Sequence, residues 1–183
     1  RRPFKTRSGD TVSLQDVIDE AVTRAAKVIE EKSPDMPEDE KAAVSQAVGI
    51  GAIKFAELSQ NRMSDYIFDW DKMLALTGDT APYLQNSYVR VRSIFRKIDT
   101  QFVKPQSLTL KEDAEIHLAR MLVRYGEVVP STLDDCRPNL LASYLYDLAR
   151  AFHSFYEACP VLKSEGATRE TRLALCDLTA SVL

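Results

Sequence analysis

Histidine, cysteine and glycine are scarce in this 183-residue chain, with two, three and six of them. The two histidines, His117 and His153, fall on different predicted helices with no cysteine at ligand spacing, so no metal-binding motif is visible. No Ser-His-Asp or Cys-His arrangement can be argued from spacing either. Cys136, Cys159 and Cys176 are an odd number at wide spacings and read as reduced core thiols of a cytosolic protein rather than a disulfide framework. The few glycines and the eight prolines fall mostly between periodic segments, which excludes a collagen-like repeat and argues against a loop-rich β-barrel. No apolar run approaches the roughly 20 residues needed to cross a bilayer. No secretory signal is expected from the opening residues, where Arg1 and Arg2 lead into Pro3, Phe4 and Lys5.

What is present is helical periodicity. Apolar residues make up 45% of the chain, enough for a core at this length. Leu14, Val17, Ile18, Ala21, Ala25, Val28 and Ile29 follow the spacing of an amphipathic helix that ends before Ser33-Pro34. A second helix is predicted from Glu38 to about Gln60, with Val44, Ala47, Val48 and Phe55 as core positions and Gly49 and Gly51 as points of close approach. Met63 to Asp69 reads as irregular or extended, and Asp69 or Asp71 as the cap of a brief helix through Leu76. Thr80 caps the next, which is expected to run to Phe102. A linker is expected near 103–108. Thr109 with Glu112 fits a capping box for a helix ending near Tyr125-Gly126. Arg137-Pro138 opens another as far as Cys159-Pro160, and the last spans Thr168 to Leu183. Six or seven helices with short connections indicate an all-α helical bundle. Its ends read as those of a fragment.

Net charge is −3, so partners must be sought in the distribution of charge. The acidic run Glu30 to Asp39 reads as a solvated helix end. Residues 1 to 8 hold Arg1, Arg2, Lys5 and Arg7 without an acid. The Thr80 helix holds Arg90, Arg92, Arg96 and Lys97, with Tyr83, Gln85, Asn86 and Tyr88 at its head. Cations beside aromatic rings and amides suit single-stranded RNA, whose bases stack while phosphates are neutralised. The alternative is an ordinary amphipathic helix, with Tyr83 and Tyr88 packed in the core. His153, between Phe152 and Ser154, reads as a packing or rim residue. The opening loop Phe4 to Asp10 can close over a triphosphate through Lys5, or simply be an unordered terminus.

The run Val48-Gly49-Ile50-Gly51-Ala52-Ile53-Lys54-Phe55-Ala56-Glu57-Leu58-Ser59, then Asn61-Arg62 and Asp65-Tyr66-Ile67-Phe68-Asp69-Trp70-Asp71, closely resembles bacterial-type arginyl-tRNA synthetases. So do Gly78-Asp79-Thr80-Ala81-Pro82-Tyr83-Leu84-Gln85 and Leu145-Tyr146-Asp147-Leu148-Ala149-Arg150. Pro3 to Gly9 looks like the family's version of the class I signature loop, with Arg2 where that loop's first lysine would be. The resemblance covers essentially the whole chain. It implies a helical bundle of the class I anticodon-binding type, preceded by a short loop or extended segment.

It also implies a cytoplasmic ligase that joins arginine to its tRNA with ATP and magnesium, and no DNA or membrane partner. No HIGH motif is found, so the chain corresponds to the C-terminal part of such an enzyme and is expected to bind no cofactor and charge no tRNA alone. The implied division is residues 1–76, the tail of the catalytic region, and residues 77–183, the anticodon-binding bundle. The resemblance assigns Lys5, with Thr6, to the ATP loop, Lys5 being the catalytic contact. Tyr83, Gln85, Tyr88, Arg90, Arg92 and Arg96 are assigned to tRNA. A free-standing tRNA-binding module and a protein-binding helical scaffold remain the alternatives.

Overall fold

A computed structural model describes residues 13–64, 69–75, 77–98 and 101–183. The opening loop with Lys5 and Thr6, and the 65–68 stretch expected to be extended, lie outside the described residues. Among the described residues every regular element is a helix, as the bundle expectation requires.

α1 spans Leu14–Lys32 and is fixed at its start by a capping box. Ser13 Oγ accepts from the Asp16 N–H at 3.1 Å, and Asp16 Oδ2 accepts from the Ser13 N–H at 3.2 Å, so two otherwise unpaired donors are satisfied. α2, Glu38–Ser59, follows Pro37 and carries Glu38, Asp39 and Glu40 in its first turn, where the helix dipole favours negative charge. Lys41 bridges Glu38 and Glu30, joining α2 to the end of α1. The buried residues of α2 are Ser45, Gly49, Ala52 and Ile53. A Cβ at Gly49 would lie 2.8 Å from the Val22 backbone of α1, so the glycine sets the separation of the pair.

The core expected for α2 is therefore on the wrong side. Val44 and Ala47 are exposed and Val48 and Phe55 only partly covered. The helix is apolar on two sides, one against α1 and one along a groove described below, so periodicity does not distinguish them.

α3, Trp70–Met73, is a single turn capped by Asp69, whose Oδ1 accepts from the N–H groups of Asp71 and Lys72. Arg24 of α1 lies over the Trp70 ring at 5.2 Å. Gly78 then turns the chain with a φ of +86°. α4 runs Ala81–Arg96 from its cap Thr80; the Thr80 hydroxyl accepts from the Tyr83 N–H and donates to the Ala75 carbonyl. It stops short of Phe102: Lys97 closes it with an N–H to the Ile94 carbonyl. Residues 101–111 carry no helix but are tied down. Phe102 packs edge-on against Phe95, Lys104 pairs with Asp177, and the Thr109 N–H donates to Thr171 Oγ.

α5 is Asp113–Val123, α6 Tyr125–Asp134, α7 Pro138–Ala158 and α8 Gly166–Val182. The expected Thr109–Glu112 box does not form. Glu115 takes that role, accepting from the N–H groups of Lys111 and Glu112 at 2.7 and 3.1 Å. α6 has no counterpart in the sequence reading, because Gly126 and Pro130 look like breakers. It survives because it lies on the surface with no buried residue, where water can satisfy the carbonyl that Pro130 leaves free.

The main core gathers Val91 and Ile94 of α4, Leu118 of α5, Phe152 and Phe155 of α7 and Leu175 of α8. Beside it the fully buried Glu115 receives the Arg172 guanidinium at 2.7 Å, and Arg172 also donates to the Pro160 carbonyl. Cys159 and Cys176 are buried, and burial pushes the Cys176 thiol up to about 12. Cys136 departs from the core expectation: it is exposed, with a φ of 49°, in the turn between α6 and α7.

Candidate nucleic-acid interface

The later turns of α4 are covered on one side, while its head is also held by α2 through Gln85. Ser87, Val91 and Ile94 are buried, while Arg92 and Arg96 are exposed and Tyr88 is 42% exposed. At 100° per residue, Tyr83, Ser87 and Arg90 share one side, and Tyr88, Arg92 and Arg96 share another. The residues expected to form one surface are thus divided between two edges of the same exposed arc.

At the first edge α4 meets α7. The Tyr83 ring lies 5.5 Å from Tyr146 and 5.0 Å from His153, centroid to centroid. Arg90 sits over Tyr156 at 5.2 Å and Arg150 over Tyr146 at 5.9 Å. Both are cation–π contacts that leave a positive charge at the rim. Ser87 Oγ donates to the Tyr83 carbonyl at 2.9 Å and lies 3.0 Å from His153 Nε2; Arg90 Nη1 lies 3.4 Å from His153 Nδ1. Burial, chiefly, raises the Tyr83 hydroxyl pKa, with Tyr146 adding to it and Arg150 and Arg90 opposing. Burial likewise lowers His153, and the Arg90 charge lowers it further against the opposing pull of Glu157.

At the second edge lies an apolar groove of about 650 Å³, lined by Val44, Val48 and Phe55 of α2, Leu84 and Tyr88 of α4 and Leu141 of α7. Gln85 stands in its wall. Its Nε2 donates to the Ala47 carbonyl of α2 at 2.9 Å, and its Oε1 is buried with no partner. Gln85 is accordingly a clip between α4 and α2 more than an exposed amide.

Sequence reasoning missed the α7 contribution. Tyr146, Arg150 and His153 recur at i, i+4 and i+7, a polar and aromatic stripe that was there to be read. Among the described residues no group of three His, Cys, Asp or Glu side chains is placed to hold a metal ion. None of the described helices is long and apolar enough to cross a membrane.

Known proteins resemble this chain along its whole length. Residues 84–183 match the DALR anticodon binding domain, and residues 1–70 match the class I (R) tRNA synthetase catalytic domain. The chain is 54% identical over 182 residues to the arginine–tRNA ligase of Laribacter hongkongensis and 50% identical over 182 residues to that of Chromobacterium violaceum. Each match takes in the whole of this chain and 32% of the relative, so the chain spans about a third of the length of those proteins. The Thermus thermophilus arginyl-tRNA synthetase structure superposes with a TM-score of 0.83 at 32% identity, over 94% of this chain and 30% of that one. The Plasmodium falciparum enzyme does so with 0.84 at 31%, over 93% and 31%. The chain belongs to the arginyl-tRNA synthetase family, whose DALR anticodon binding domain it carries over residues 84–183.

Proposed function

We propose that this chain is part of a cytoplasmic arginine–tRNA ligase and supplies the surface that grips the anticodon arm of arginine tRNA. The observation that carries the reading is the exposed arc of α4, where Arg90, Arg92 and Arg96 follow Tyr83 and Tyr88 in a domain of the DALR family. Arginines of this kind neutralise phosphates and fix register without reading sequence. Tyr88 is exposed enough to offer its ring to a stacking base. Tyr83, half-buried against Tyr146 and His153, supports the arginines.

ATP is a substrate of the class I enzymes, and in this reading Lys5 stabilises its phosphates while Thr6 donates to them, with magnesium in attendance. The described residues offer no cluster for that ion. A signature loop without a nucleotide pocket cannot align ATP with arginine, so the purified 183-residue chain is expected to make no arginyl-adenylate. Arginine-dependent charging of tRNA by it would refute that.

The test of the interface is a titration of the chain with arginine tRNA and a non-cognate tRNA at several salt concentrations. Arg92→Ala should weaken both complexes and shallow the salt dependence. Tyr88→Ala should cost about 1–3 kcal/mol, as a lost base stack does, and narrow the gap between the two tRNAs. An unchanged ratio in a Tyr88→Ala protein that melts like the parent would remove the anticodon from this helix.

A further inference from the structure

The hydrogen bonds around His153 admit one arrangement of protons. An arginine has no acceptor, so the Arg90 Nη1 contact at 3.4 Å requires a lone pair on His153 Nδ1. The proton of the neutral ring is then on Nε2, which donates to Ser87 Oγ at 3.0 Å, and Ser87 in turn donates to the Tyr83 carbonyl. This relay holds the Arg90 guanidinium against the ring while its other face lies over Tyr156. A second proton on His153 would convert Nδ1 into a donor and set two cations against each other.

We propose that His153 is a proton-linked positioning residue of the RNA interface: neutral, it holds Arg90 docked on α7, and protonated, it frees Arg90 and adds its own charge beside the phosphates. The inference rests on the reading of α4 as an RNA-binding helix. The titratable and charged groups that bear on the ring are Arg90 and Tyr83 of α4 and Glu157 of its own helix. In the free protein, burial and Arg90 outweigh Glu157 and keep the ring neutral near pH 7. A bound phosphate reverses that balance. RNA binding therefore takes up a proton, and by linkage affinity rises as pH falls from the RNA-bound pKa of His153 toward its free value, which lies below the ordinary 6.5. Each unit by which bound RNA raises the His153 pKa appears as about tenfold tighter binding at low than at high pH.

The experiment measures the chain's affinity for an anticodon stem-loop of arginine tRNA from pH 8 to pH 5.5, with ¹⁵N ring spectra of both histidines with and without the RNA. The free protein should show the Nε2–H tautomer at His153, and the RNA should raise its pKa. His153→Gln offers one donor and one acceptor but cannot titrate. Its affinity should not vary with pH, whereas His117→Gln, on the exposed face of α5, should keep the parent profile. Binding with an unshifted His153, or a His153→Gln protein that keeps the parent pH profile, overturns the proposal while leaving the RNA interface standing. Absence of any binding across the range overturns the interface itself, and this inference with it.

Discussion

The buried residues of the α1–α2 pair are small: Ala21 and Ala25 on one helix, and Ser45, Gly49 and Ala52, with the single larger Ile53, on the other. The bundle formed by α4, α5, α7 and α8 buries large residues as well as small ones, with Phe152, Phe155, Leu118, Leu148 and Leu175 fully covered. The first pair gains its stability from close backbone approach, so it is sensitive to added volume. The second gains it from apolar area, so it is sensitive to removed volume. A protein built this way has two different failure modes, and substitutions can separate them.

Phe152→Ala should be the most damaging, costing about 3–5 kcal/mol through lost burial and the cavity left behind. Thermal melting should show the bundle unfolding at a clearly lower temperature. Gly49→Ala should cost about 1–3 kcal/mol, because the new methyl meets α1 backbone, which cannot swing aside like a side chain. Amide exchange should then quicken in α1 while amides of α7 stay protected. Equal quickening in both would show that the two regions unfold as one.

The smallest effect near neutrality is that of acid. Burial pushes the Glu115 carboxyl up, but the Lys111 and Glu112 N–H groups and Arg172 together bring it below its ordinary 4.5. A lowered folded-state pKa means that the group's stabilisation is complete above about pH 4.5 and lost as pH falls through the lower native value. Denaturant midpoints measured from pH 6 to pH 3 should therefore drop, and Glu115→Gln should flatten that drop.

Several helix ends were legible from a cap or a proline. Ser33-Pro34, Thr80 with Pro82, and Arg137-Pro138 each sit within a residue or two of an observed boundary. Interior choices were not legible. α2 is apolar on two sides, so its phase depends on which neighbour arrives. α4 ends at Arg96, and Phe102 packs edge-on against Phe95, a contact that no local pattern announces. For the interface, the basic and aromatic content of α4 is visible in the sequence, and the helical angle separates Tyr83 from Tyr88. The α7 partners of Tyr83 and Arg90 lie more than 60 positions away in sequence, so one sequence names the residues without pairing them.

The groove beside Gln85 is a seam. Its walls come from α2, which lies within the part of the chain that matches a catalytic domain, and from α4 and α7, which lie within or at the edge of the part that matches an anticodon binding domain. Excising residues 84–183 would not expose the groove; it would remove one wall and leave Gln85 with no carbonyl to hold. The groove thus behaves as a gauge of how the two matched regions are set against each other. Its width follows the distance between α2 and α7, and an apolar dye seated there would report that distance without touching the arginines of α4.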